Sequence, residues 1–177
     1  MTTPPTLGVS VGDTASVVDT VGRLAGIRLD ICCGANKQGP GWFGIDIQPL
    51  PGVDLVWDVT NIPWPLPDES VLVAMASHVV EHIPPANFGF IRFMNEVWRL
   101  MRPGGEFAIV TPHGRSDGYI QDPTHVNPCN EATFLYFDQD HPLWTFYKPQ
   151  PWKIKYIASD PAINIEVVLV KDEMRHE

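Results

Sequence analysis

Apolar residues in this chain come in short, nearly continuous runs, broken by glycine, proline and acidic residues. Ile27–Cys32, Trp42–Ile47, Val53–Trp57 and Val71–Ala76 are four such runs, and Glu106–Thr111 is a fifth. Continuous apolar residues, rather than alternating ones, predict strands buried on both faces, as in a parallel sheet. Between the last two runs, Phe90, Phe93, Met94, Val97, Leu100 and Met101 recur at helical spacing. They predict one amphipathic helix from about Pro85 to Met101. Pro103-Gly104-Gly105 is then expected to stop it.

Beyond Thr111 the pattern loosens. Residues 112–151 read as loop-rich, with a helix over Glu131–Phe137. Trp152–Ile157 and Ile163–Val170 predict two closing strands, paired as a hairpin. At the other end, Met1–Gly12 reads as a loose arm rich in Thr, Pro and Gly. Asp13–Leu24 reads as a short helix capped by Asp13 or Thr14. The prolines of Ile62–Pro67 exclude a helix or a central strand there. Parallel strands need crossovers of about a dozen residues, normally helical. The segments Gly34–Gly41 and Gln48–Gly52 are far shorter. The expected fold is therefore α/β, with helices reduced on one side of a mostly parallel sheet and an antiparallel strand at its C-terminal end.

Composition narrows the class. The 177 residues suit one domain, residues 13–177, following an arm over 1–12. Val71–Ala76 is the longest clean apolar run, too short to span a bilayer. No secretory signal pattern is visible. Three cysteines, two of them adjacent, are too few for a disulfide framework, and a reducing cytoplasm is expected. A net charge of −9 argues against a general nucleic-acid binder. Trp144–Lys148 and Trp152–Tyr156 interleave aromatics with lysines, a pattern that stacks bases but more often marks a strand with one buried face.

The chemistry gathers at strand ends. Arg28-Leu29-Asp30-Ile31-Cys32-Cys33-Gly34-Ala35-Asn36 runs from a strand into an acid and then into small residues around a glycine. Such an end lets backbone approach a ligand. The second run closes on Asp46 and Ile47. In nucleotide-binding α/β sheets an acid at that place bonds the two ribose hydroxyls. His78-Val79-Val80-Glu81-His82 follows the fourth run and matches His-x-x-Glu-His, an inverted zinc-protease motif. Pro84 leaves only about a turn of helix there, and a protease would leave the rest of the chain unexplained.

These pieces resemble the class I, Rossmann-like S-adenosylmethionine-dependent methyltransferases over about Ile27–Thr111. The resemblance rests on Leu29–Gly34, Gly44-Ile45-Asp46, Asp58, Pro67–Val71, Ser77–His82 and Leu100–Gly105, all in register. Gln121-Asp122-Pro123-Thr124-His125 resembles a subgroup of small bacterial and phage members. Cys32 and Asn36 stand where that family usually has glycine.

The resemblance implies S-adenosylmethionine as cofactor and S-adenosylhomocysteine as product. Asp30, Cys32, Cys33 and Gly34 would hold the amino-acid end, and Asp46 with Ile47 the ribose side. Asp58 with the Val59 amide would meet the adenine edge, and Ser77 would lie beside the sulfonium. His78, His82 and His125, with Asp122 as an orienting acid, are the candidates for handling the acceptor proton. Residues 112–151 would form the substrate side.

The acceptor is left open: a hydroxyl or nitrogen of a small molecule, sugar or nucleic acid. Methyltransferases of small-RNA ends carry a similar acid-x-x-Glu-His arrangement that binds a divalent metal with a distant histidine. In that reading His78, Glu81 and His82 would be joined by His113 or His125, His125 being favoured. The alternative function is a methyltransferase-fold binding or assembly module without activity, favoured by the short crossovers and missing glycines.

Overall fold

The computed structural model describes residues 26–174. The expected arm and the helix over Asp13–Leu24 lie outside the described residues. Seven strands form one sheet: β1 (Ile27–Ile31), β2 (Trp42–Asp46), β3 (Leu55–Val56), β4 (Val71–Ser77), β5 (Met101–Pro112), β6 (Trp152–Ser159) and β7 (Asn164–Lys171). Their spatial order is β3-β2-β1-β4-β5-β7-β6. Strands β1 to β5 pair in parallel. β7 then runs antiparallel to both β5 and β6. The expected α/β sheet with an antiparallel strand near its C-terminal end is thus what forms.

The longest described helix is α1 (Gly89–Leu100), between β4 and β5. Its apolar stripe Phe90, Phe93, Met94, Val97 and Leu100 is buried. Aromatic rings run from a loop through this helix and into the sheet. Trp64 lies 5.8 Å from Phe93, Phe93 6.5 Å from Phe107, and Phe107 5.7 Å from Trp152. Each such side chain contributes about 1.5–3 kcal/mol by leaving water. Glu96 is buried on the same helix. Its carboxylate accepts from the Trp64 amide at 2.6 Å and takes both Nε and Nη2 of Arg99.

The helix begins later than the sequence pattern suggests. Asn87 and Phe88 have φ of 53° and 58°, left-handed values that break the chain between a 3₁₀ turn over Ala86–Phe88 and α1. The helix also ends at Leu100, before Pro103-Gly104-Gly105, so that tripeptide is not its stop. Those residues lie within β5 and bulge from it: Val71 pairs with Met101, and the next pairing is Val73 with Glu106. β3 is two residues long, where Val53–Trp57 is expected.

Two further short α-helices lie among the described residues, α2 (Asp117–Ile120) and α3 (Glu131–Leu135). α2 and a 3₁₀ turn over Pro142–Phe146 interrupt the stretch expected to be loop. Both crossovers that join β1, β2 and β3 are loops, as their lengths require. β6 buries Trp152, half-buries Ile154 and exposes Lys153 and Lys155, but the alternation expected as far as Tyr156 stops at the register slip after Ile154, where Tyr156 and Ile157 are both exposed. Lys155 pairs with Glu106.

Candidate functional site

Because β1 to β5 are parallel, their carboxyl ends share one rim. The strand order reverses between β1 and β4, and ligands in open α/β sheets bind outside the strand ends at that place. Asp30, Asp46, Asp58 and Ser77 all stand at or just past these ends.

Asp46 is the best-held acid of the rim. Its Oδ2 accepts from the Gly34 amide at 2.9 Å, which ties the end of β2 to the loop after β1. Its Oδ1 accepts from the Gln48 amide at 2.8 Å. A carboxylate has about four lone-pair sites, so each oxygen retains capacity for one more donor. Beside it Ile47 is 59% exposed, an apolar side chain left facing solvent. The loop after β1 turns through left-handed Cys32 and Gly34, with φ of 54° and 56°. An added Cβ at Gly34 would meet nothing within 4 Å, so the space before that loop is open.

Asp30 is buried, and its Oδ2 accepts from the Gln38 amide at 2.8 Å. Burial raises its pKa, and the Gln38 hydrogen bond and Lys37 oppose that rise. Burial also pushes the Cys32 thiol up to about 12 and the Cys33 thiol to about 11, with neighbouring carboxylates adding to both. These thiols are therefore neutral packing groups. A Cβ at Gly44 would stand 2.6 Å from Cys33 Sγ and 3.1 Å from the Gly52 carbonyl, so a side chain at that position would displace its neighbours. Asp58 closes a tight turn by accepting from the amide and hydroxyl of Thr60. Val59 is buried, and its carbonyl accepts from the Trp64 indole.

A second group lies past β4. His78 extends the ladder by donating its amide to Val110 and then turns the chain with a φ of 55°. The turn Val80–His82 follows. Glu81 is fully buried, and its Oε2 accepts from the Thr111 hydroxyl at 3.0 Å. The loop over 122–127 is strapped onto this turn. The Val126 and Asn127 amides donate to the Glu81 carbonyl, and the Asn127 side chain donates to the Val80 carbonyl. This brings the His125 ring to 4.7 Å from the His82 ring, edge to face.

Asp122 joins through Thr124, whose hydroxyl donates to Asp122 Oδ1 at 2.7 Å and lies 3.1 Å from His82 Nδ1. Those Thr124 bonds hold the Asp122 pKa below the usual carboxylate value. The His78 ring is about half exposed, with Nδ1 3.3 Å from Glu81 Oε1. His113 turns elsewhere, towards Glu131, with 3.8 Å between its Nε2 and Glu131 Oε2.

Thr111, Tyr119 and Thr124 belong to this cluster; sequence reasoning passes over Thr111 and Tyr119 and reads Thr124 only as part of the Asp-Pro-Thr-His motif. Tyr119 supplies its carbonyl to His125 Nδ1 at 2.9 Å, a contact that side-chain type does not signal. Thr124 carried a signal, the Asp-x-Thr spacing of a side-chain turn. Next to the strap lies a cavity of about 290 Å³ lined by Phe88, Phe90, Ile91, Asn127, Tyr136 and Tyr147.

Residues 29–109 match the family model described as a methyltransferase domain. No curated protein sequence matches the chain. A SAM-dependent methyltransferase from Archaeoglobus fulgidus has a similar structure, with TM-score 0.60 at 18% identity over 89% of this chain and 92% of that one. The 1,6-didemethyltoxoflavin-N1-methyltransferase of Burkholderia thailandensis, bound to 1,6-didemethyltoxoflavin and S-adenosylhomocysteine, has TM-score 0.61 at 12% identity over 92% and 78%. The cyclase SpnF has TM-score 0.55 at 15% identity over 88% and 80%.

The chain thus has the class I, Rossmann-like methyltransferase fold, and its residues 29–109 match a methyltransferase domain. The cofactor of that class is S-adenosylmethionine, and the rim fits it in chemistry: an acid with free acceptor capacity, an exposed apolar neighbour and an open glycine turn.

Proposed function

We propose that the protein transfers the methyl group of S-adenosylmethionine to a hydroxyl or nitrogen acceptor. The observation that carries this reading is the Asp46 carboxylate bonded to the Gly34 amide. It holds the ribose-binding acid and the glycine turn in one frame across the ends of β2 and β1, beside the point where the strand order reverses. Asp46 accepts the two ribose hydroxyls, and Ile47 packs on the base. Asp58 and the Val59 amide meet the adenine edge. Asp30 and the backbone of Cys32, Cys33 and Gly34 face the amino-acid end, and Ser77 flanks the sulfonium.

S-adenosylmethionine supplies an activated methyl carbon, so the protein's task is alignment and removal of one proton. His78, His82 and His125 stand where an acceptor proton can be received, and Asp122 orients His82 through Thr124. The acceptor lies on the side of residues 112–151, against the aromatic cavity beside Asn127. That lining suits a planar or apolar group next to the reacting atom.

Calorimetry with S-adenosylmethionine and S-adenosylhomocysteine tests the cofactor reading, and binding weaker than about millimolar for both would end it. Labelled methyl transfer into small-molecule, glycan and nucleic-acid fractions then finds the acceptor. With that acceptor, His125→Ala lowers turnover by about 10²–10⁴.

A binding module without activity is the second reading. It is favoured by the Gln38 amide, which already occupies Asp30, and by the loop crossovers. SpnF, a cyclase of similar fold, illustrates that the fold alone does not set the reaction.

A further inference from the structure

The turn after β4 contains a carboxylate that the methyl-transfer reading does not use. Glu81 is fully buried, yet its Oε1 has no hydrogen-bond partner. His78 Nδ1 lies 3.3 Å away without hydrogen-bond alignment. A buried, unpartnered carboxylate oxygen costs several kcal/mol unless a positive group meets it. One ligand atom from each of Glu81, His82 and His125 lies within 4.8 Å of the other two.

The protons of both rings follow from their partners. The Thr124 hydroxyl has one proton and gives it to Asp122, so it accepts from His82, whose Nδ1 carries the hydrogen. His125 Nδ1 faces the Tyr119 carbonyl, an acceptor only, so it too carries the hydrogen. In the neutral rings both Nε2 atoms are then left with lone pairs. His125 Nε2 also stands 3.8 Å from Asp122 Oδ2, one acceptor facing another. Rings held by Nδ1–H on a carbonyl or a carboxylate-backed hydroxyl are oriented as metal-binding histidines are.

We propose that Glu81 Oε1, His82 Nε2 and His125 Nε2 form a binding site for a divalent first-row transition-metal cation, zinc in the first instance. Two imidazoles and one carboxylate favour a borderline cation over magnesium or calcium, which prefer oxygen alone. Ligands of a tetrahedral zinc stand about 3.3 Å apart, so ligand atoms of these three residues that lie within 4.8 Å of one another need a closure of about 1.5 Å at most. His82 is exposed, which leaves the cation's remaining positions open to water or an acceptor oxygen. If the chain methylates a hydroxyl, the cation lowers that group's pKa and His78 is left to take the proton. Only this use of the site rests on the methyltransferase reading.

The probe is Zn²⁺ itself. It is titrated into the full chain after chelator treatment, without S-adenosylmethionine, in competition with a chromophoric chelator. A Cys32→Ser/Cys33→Ser background removes the two partly exposed thiols, and the third, Cys129, is buried. One Zn²⁺ per chain is expected, at micromolar Kd or tighter. His82→Ala, His125→Ala and Glu81→Gln should each weaken it at least about tenfold. His82 is exposed, so its variant keeps the fold and decides the matter if the other two do not fold. No binding below about millimolar would overturn the site, as would one-to-one binding unchanged in His82→Ala. Zinc binding without methyl transfer would sink the proposed function and spare the site. Methyl transfer that survives chelation in a protein that binds no zinc would sink the site alone.

Discussion

Replacing Asp46 with alanine tests the rim at its centre. In the free protein this carboxylate holds two backbone amides, Gly34 at 2.9 Å and Gln48 at 2.8 Å, and is 8% exposed. Hydrogen bonds to a charged group contribute about 1.5–3 kcal/mol each. With cofactor bound, two ribose hydroxyls would add two such bonds, a gross 3–6 kcal/mol. The space before Gly34 is open, so water replaces part of this in the variant. The net loss is then about 1.5–3 kcal/mol, a ten- to hundred-fold weaker Kd.

The two loop amides also lose their partner, at a cost of about 1–2 kcal/mol to the fold. Calorimetry with S-adenosylhomocysteine reads the first quantity, and the urea midpoint at unchanged slope reads the second. A 2′-deoxyribose analogue supplies the cycle. It should bind the native protein more weakly than S-adenosylhomocysteine, and the two should bind the variant alike. Unchanged affinity in a folded Asp46→Ala protein would refute the assignment, as would an analogue penalty that persists in the variant.

Two further outcomes follow from buried acids. Burial raises the Asp30 pKa, so the folded chain holds that proton more tightly than the unfolded chain does. The stabilisation from a protonated Asp30 is lost as pH rises through the folded value, and at neutral pH the ionised group burdens the fold. Asp30→Asn should therefore raise the thermal midpoint at pH 7, with the gain vanishing below about pH 4, while weakening cofactor binding. Glu96→Ala strips the Trp64 amide and Arg99 of their buried partner and should cost about 3 kcal/mol, read from the denaturant midpoint. Arg99 keeps the Leu66 carbonyl and Asp68, which holds the cost to the lower end of the range for a broken buried pair.

Much of the fold was legible because each strand is a compact apolar run. Missing crossover helices followed from chain length alone. The places where sequence reasoning slipped are those where backbone geometry overrode pattern. Phe88 lies only two positions before Phe90, yet its left-handed φ starts the helix one residue later. Pro103-Gly104-Gly105 has the composition of a helix stop, but the helix has already ended and the residues bulge from β5.

The acids of the rim were visible because each closes a strand. Thr111 and Tyr119, which serve the histidine turn, were not, since they act through a hydroxyl and a carbonyl whose position only the folded chain decides. The loop over 122–127 reaches that turn through amides of Val126 and Asn127, which no side-chain pattern announces.

The two lateral margins of the sheet have a consequence for how copies of the chain can meet. On one side β3, the outermost strand among the described residues, is only two residues long. On the other, β6 presents Lys153 and Lys155 to solvent, and its pairing register slips between Ile154 and Tyr156. A neighbour trying to extend this sheet would find too little backbone at one margin, and charge with a kink at the other. Continuous ribbons through these margins are thereby discouraged, and crowding during synthesis should be tolerated without a covering partner.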